Sequence, residues 1–196
     1  MKKESFERIQ GDIPRVCKLG ETAVLQKLTE LGWDAFNLNS ENPNYKGADI
    51  ACIHPKTHKT MLVQVKTSAG NDPSFGTGFV TDTNGNILGK KLDDEIIGPW
   101  VFVHIVFEDG TIKYKFYVLT RNEVKELIED SNAWYWRELK HKAHNKQPVF
   151  LPLCWITGEG IKLSNNTFRG YPRDTRVSIE NPSGEDVWEV KIGEVV

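Results

Sequence analysis

The chain has 196 residues, 39% of them hydrophobic, which is enough for one compact domain with a core of its own. Lys and Arg number 25 against 27 Asp and Glu, and this formal charge of -2 excludes a protein that holds nucleic acid by overall basicity. No apolar run approaches the roughly 18 to 20 residues of a spanning helix, and Met1-Lys2-Lys3-Glu4-Ser5 leads into no signal-peptide stretch, so a soluble, cytoplasmic protein with no membrane partner is expected.

After a polar opening segment, Gly20-Glu21-Thr22-Ala23 runs into Val24, Leu25, Leu28 and Leu31, the spacing of an amphipathic helix, and Gly32 closes it. Strands are predicted at Trp33 to Leu38, Ala48 to His54 and Thr60 to Thr67. The short polar turn Pro55-Lys56-Thr57-His58-Lys59 makes the last two neighbours in an antiparallel meander. Between Ser68 and Pro99 recurrent Gly and Pro predict an extended loop region with a small hairpin at Asn84-Gly85. Trp100 to Phe107 and Ile112 to Leu119 read as two strands of a hairpin turned by Glu108-Asp109-Gly110. Thr120 and Glu123 have the spacing of a capping box for a second helix that buries Val124, Leu127 and Ile128. The segment from 136 to 196 reads as a C-terminal extension of undefined structure, behind a core of about 18 to 135 in a single domain. Cys17, Cys52 and Cys154 have no paired spacing and read as reduced packing residues.

Chemistry concentrates in Tyr45-Lys46-Gly47-Ala48-Asp49-Ile50-Ala51-Cys52-Ile53 and, after one turn, Met61-Leu62-Val63-Gln64-Val65-Lys66-Thr67-Ser68. Strand alternation puts Gln64 and Lys66 on one face with Val63 and Val65 on the other. The tight turn brings Asp49 opposite the end of the third strand, so an acid, an amide and an amine meet. Burying three polar groups costs free energy unless a partner compensates, and a hard cation is such a partner. The Asp49 carboxylate, the Gln64 side-chain carbonyl and the Val65 backbone carbonyl are oxygen ligands of the kind magnesium takes. Glu21 precedes Val24 and Leu25 by three and four residues and so faces the sheet, within reach of the same ion.

In these residues the chain resembles the PD-(D/E)XK, or restriction-endonuclease-like, nuclease superfamily over about Gly20 to Ser68. The resemblance matches the family's helix glutamate to Glu21, its strand aspartate to Asp49, and its acid-x-lysine pair to Gln64 and Lys66. It implies an α/β fold with a mixed central sheet flanked by helices, a Mg2+ or Mn2+ cofactor, DNA as substrate, and phosphodiester hydrolysis with Glu21, Asp49, Gln64 and Lys66 as catalytic residues. Lys46 and Ser68 are candidate nucleic-acid contacts, and pairing of two copies into a homodimer is compatible with such an enzyme. The chain departs from the pattern at Ala48, where the family name has proline, and at Gln64, which removes one negative charge and predicts weaker magnesium affinity. No helix is evident after the third strand, where the family has one.

Each group also has a plain structural reading. Glu21 in a first helical turn suits the positive end of the helix dipole, Asp49 suits a turn, and Gln64 with Lys66 suits a half-exposed strand face. Trp134-Tyr135-Trp136 read as core rather than base-stacking aromatics, and His141 and His144 as part of a solvated basic face. Lys90, Lys91, the Lys140 to Lys146 stretch, Arg169, Arg173 and Arg176 are local positive groups able to track phosphates. A catalytically impaired DNA-binding or regulatory module is the rival to a nuclease, and an interaction domain with an internal hydrogen-bond network is a third reading.

Overall fold

The computed structural model describes residues 3–41, 45, 47–71, 73–89, 91–138, 146–156, 161–162 and 168–169. Helices α1 (Lys3–Gln10) and α2 (Ile13–Glu30) come first, then β1 (Asp34–Asn37), the one-turn α3 (Leu38–Glu41), β2 (Ile50–Ile53) and β3 (Thr60–Ala69). There follow β4 (Ser74–Thr81), the one-turn α4 (Leu92–Glu95), β5 (Trp100–Glu108), β6 (Thr111–Leu119) and α5 (Arg121–Glu138). Strand β7 (Gln147–Pro152), α6 (Leu153–Ile156), β8 (Ile161–Lys162) and β9 (Phe168–Arg169) complete the order.

Five strands form a mixed sheet in the order β1-β2-β3-β5-β6. All its pairings are antiparallel except β3 with β5, which run parallel. The architecture is thus α/β, a mixed central sheet flanked by helices. The expected meander of β1, β2 and β3 is present, as is the β5–β6 hairpin. Alternation along the strands sorts the side chains into two cores. Val63 and Val65 of β3 and Val101, Val103 and Ile105 of β5 pack with Val24 and Leu28 of α2 and Phe6 of α1. On the other face Trp100, Phe102 and Leu119 pack with Val124 and Ile128 of α5 and with Phe75, Phe79, Val149 and Leu151 of β4 and β7.

Helix α2 starts about two turns earlier than Gly20. Asp12 caps it by accepting the Arg15 amide at 3.2 Å, and a proline stands in its first turn. Glu21 is therefore mid-helix, and the reading of it as a charge at the helix start is overturned. The end is as expected: Gly32 takes a positive φ of 84°. Trp33 N–H donates to the Leu28 carbonyl and Gly32 N–H to that of Thr29, a Schellman closure. The capping box of α5 is reciprocal, with Thr120 N–H donating to Glu123 Oε2 at 2.7 Å and Glu123 N–H to Thr120 Oγ1 at 3.3 Å.

The stretch from Ser68 to Pro99 is more ordered than a loop. It carries β4, which pairs antiparallel with β7 as a ribbon, a partnership invisible locally because the two strands lie some seventy residues apart. The hairpin at Asn84-Gly85 does form, bridging Thr81 to Ile87. Among the described residues the only helix between β3 and β5 is the single turn α4, so the missing family helix is missing here too.

Two contacts fix the C-terminal half of β3. Gly20 lets α2 lie against β3, since a Cβ there would stand 1.8 Å from Thr67 Oγ1 and 2.8 Å from Thr67 Cβ. At the strand's end buried His104 donates from Nε2 to the Gly70 carbonyl at 2.6 Å, which leaves Nδ1 buried without a partner among the described residues. Burial pulls the His104 pKa below the ordinary 6.5, and Lys115 adds to this, while the Gly70 bond and Glu108 oppose it.

Gly20→Ala is expected to overpack this contact and lower the unfolding free energy by about 1 to 3 kcal/mol, read from urea denaturation. An unchanged midpoint would refute the close approach. Neutral His104 is the form that folds, so its contribution is complete above the ordinary pKa and is lost as pH falls through the lowered native value. Thermal melts from about pH 7.5 to about pH 5 should therefore show a larger loss for the wild type than for His104→Gln. Equal losses would remove His104 from the pH response.

Candidate functional site

Strand β2 stops short. Its last pair with β3 is Ile50 with Val63, whereas β3 continues to Ala69 with β5 along its other side. From Gln64 onward one edge of β3 has no strand beside it among the described residues. The Gln64 amide donates to the Pro99 carbonyl toward β5, so the pleat turns the Val65 amide to the open edge.

Asp49 stands one residue before β2, with its own amide on the Val63 carbonyl at 2.9 Å. Its Oδ2 accepts the Val65 N–H at 2.7 Å and also the Gln64 side-chain amide. Oδ1 accepts Asn39 Nδ2 at 2.9 Å. The carboxylate thus takes the place of the strand that is absent.

Glu21 enters from α2, half-buried, and its Oε2 accepts Asn37 Nδ2 at 3.1 Å. Burial pushes its carboxyl above the ordinary range; the Asn37 bond opposes this and the negative Asp49 reinforces it. Asn37 is itself fixed, because its Oδ1 accepts the amides of Asn39 at 2.8 Å and Ser40 at 3.1 Å. One turn at the end of β1 therefore holds both acids, Glu21 through Asn37 and Asp49 through Asn39. These asparagines were not singled out from sequence. Asn37-Leu38-Asn39-Ser40 reads as ordinary turn chemistry, and its only other signal is position between two acids.

Lys66 lies two residues beyond Gln64 on β3, with Nζ 4.9 Å from the centroid of the Trp100 ring, a cation–π contact. Trp100 is the β5 partner of Gln64 in register, a role that could only be found once β3 and β5 were known to pair. Glu21, Asp49, Gln64, Val65, Lys66 and Ser68 all line one cleft of about 550 Å³. Cys17 lines it as well, exposed and one turn before Glu21, which corrects its reading as a packing residue. Partial burial and then the Glu21 charge push its thiol up. Cys52 is a packing residue, buried in the core with its thiol pushed up to about 12 by burial.

Lys91 is exposed elsewhere. Lys46, Lys90, residues 139–145 with His141 and His144, and Arg173 and Arg176 lie outside the described residues, as do the side chains of Trp134, Tyr135, Trp136, Cys154 and Arg169.

Among the described residues no group of three or more His, Cys, Asp or Glu is gathered as a metal cage. The cleft carries two carboxylates, one backbone carbonyl and the Gln64 side-chain amide, groups whose oxygens suit Mg2+ or Mn2+ and not a soft metal. The raised Glu21 carboxyl, burdened by burial and by Asp49, also fits a site that a cation would relieve. For Gln64 to take part its amide must turn over, since Nε2 now faces Asp49.

Asp49→Ala should cost stability apart from any chemistry, about 1 to 3 kcal/mol in urea denaturation, because the Val65 amide loses its acceptor. Asp49→Asn retains an acceptor oxygen and should cost less; equal stability of Asp49→Ala and wild type would contradict the edge-capping role. Protein-family models, curated proteins and solved structures give no match to this chain.

Proposed function

We propose that the chain is a magnesium-dependent DNA endonuclease with a restriction-endonuclease-like core, working in restriction, defence, mobile-element or repair chemistry. The observation that carries the reading is the meeting, in one cleft, of Glu21 from α2, Asp49 before β2, and Gln64 and Lys66 from β3. That order along the chain matches the family resemblance of Gly20 to Ser68. Asp49, Glu21, the Gln64 amide oxygen and the Val65 carbonyl would hold a Mg2+ or Mn2+ ion, which would supply Lewis-acid chemistry at the phosphate.

The chain's own residues do the rest. Lys66, poised over Trp100 in a half-buried setting, orients the attacking water and offsets the charge that builds on the phosphate oxygens as the new P–O bond forms and the ester bond breaks. Asn37 and Asn39 keep the two carboxylates in fixed orientations, so less reorganisation is needed when charge develops. The β5 strand and the α2 contact at Gly20 hold the platform rigid from both sides.

A second reading has a specific observation in its favour. The Asp49 carboxylate already has three donors, and Gln64 presents nitrogen to it, not oxygen. That arrangement suits a catalytically impaired DNA-binding or regulatory module on the same fold.

Lys66→Ala and Asp49→Asn are each expected to lower magnesium-dependent cleavage at least about a hundredfold, the scale of losing one preorganised electrostatic group. Cleavage that survives both substitutions would sink the nuclease reading, and duplex binding without any cleavage by the wild type would favour the module. Gln64→Glu should tighten magnesium binding in calorimetry, since it restores a charge to the ligand set. Weaker binding in that variant would take Gln64 out of the metal site.

A further inference from the structure

The β4–β7 ribbon forms one lip of the cleft, and its alternation is strict. Along β7, Val149 and Leu151 turn into the core while Phe150 between them is 52% exposed. Along β4, Phe75, Thr77 and Phe79 are buried while Ser74, Gly76 and Gly78 face outward. Phe150 pairs in register with Gly76, and a Cβ at that glycine would be 3.5 Å from the ring's Cε1. The ring thus lies against bare backbone, and an outward strip without bulky side chains runs beside it.

An aromatic ring over a cross-strand glycine is also a packing device. Packing alone does not account for two further observations. More than half of the residue stays open to water, and it lines the same cleft as Asp49 and Lys66. Ile13, in the first turn of α2, is 72% exposed and lines that cleft too. Two large apolar side chains, on different elements, are therefore left uncovered at the cleft that holds the acids and the lysine.

We infer that Phe150 is a stacking platform for an unpaired base of the strand whose phosphate lies at Asp49 and Lys66. The substrate is then single-stranded, flapped or locally unpaired DNA, not a continuous duplex. The inference rests on the proposed nucleic-acid substrate and deepens it. A paired base inside a duplex has both faces covered by its neighbours, so only an unpaired base offers a π-face to the ring. The cleft of about 550 Å³ has room for a nucleotide unit beside Asp49 and Lys66. Stacking reads no hydrogen-bond pattern, so tolerance of sequence is expected.

The test uses the full chain with Lys66→Ala as a cleavage-impaired background, in magnesium, titrated with a single-stranded oligonucleotide carrying 2-aminopurine and with a duplex of the same length. Stacking should quench the 2-aminopurine fluorescence on binding. Phe150→Leu keeps apolar cover for Gly76 but has no π-face; it should weaken single-strand binding about 5- to 100-fold and lower the preference for single strand over duplex. Phe150→Trp should restore both. Single-strand affinity and quenching equal in Phe150→Leu and its parent, or a parent that prefers the duplex, would overturn the stacking role. Wild-type cleavage of duplex DNA with that result would leave the nuclease reading standing, whereas quenched, Phe150-dependent binding without wild-type cleavage would uphold the platform and remove the nuclease. Absence of binding to either DNA overturns both.

Discussion

A sheet whose second strand begins only at Ile50, opposite Val63, while its third runs on to Ala69 exposes a row of backbone amides and carbonyls next to a hydrophobic core. Such an edge is costly unless something accepts the outward N–H groups. Here the Asp49 carboxylate accepts the Val65 amide at 2.7 Å. That single bond ends the β2–β3 ladder, puts a negative charge at the lip of β3, and opens a cleft along the uncovered edge. The position of Gln64 beside Asp49, the reach of Asn39 to the same carboxylate, and the room for Glu21 all follow from it.

The two faces of the sheet then contribute different things. On one, α2 comes close because Gly20 has no side chain to meet Thr67, and the next residue, Glu21, is carried to the cleft. On the other, the Trp100 ring beneath Lys66 and the β4–β7 ribbon give aromatic and apolar surface. Glu21 comes from one side, and Lys66 with aromatic and apolar surface from the other, with β3 as the shared wall. The polar cluster between the two apolar cores is held by hydrogen bonds from Asn37, Asn39 and the Val65 amide. The asparagine turn after β1 adds hydrogen bonds that would otherwise have to come from water.

The degree to which the chain could be read in advance varies by element. The β5–β6 hairpin and the capping box at Thr120 and Glu123 were legible because their signals lie within a few residues of each other. The start of α2 is harder to read: Asp12-Ile13-Pro14 carries an N-terminal signal, but the polar residues that follow interrupt the apolar periodicity. Strand β4 has the composition of a loop, since its outward glycines look like turn residues until β7 is known to pair with it. In the site, Asp49, Gln64 and Lys66 were legible as polar interruptions of apolar strands. Asn37, Asn39, Trp100 and Phe150 were not, because nothing in their own neighbourhoods distinguishes them.

Local periodicity and spacing alone determined α2 from Gly20 onward, the strands β1, β2, β3, β5 and β6, the helix α5, and that Gln64 and Lys66 share a strand face. These are properties of the pleat and the helical turn, which act between near neighbours. Tertiary structure decided the parallel pairing of β3 with β5, the docking of α2 through Gly20, the capping of Val65 by Asp49, and the exposure of Phe150 at the cleft. Each depends on which surfaces meet, and that is set by the global burial of apolar area, a quantity no short window of sequence contains.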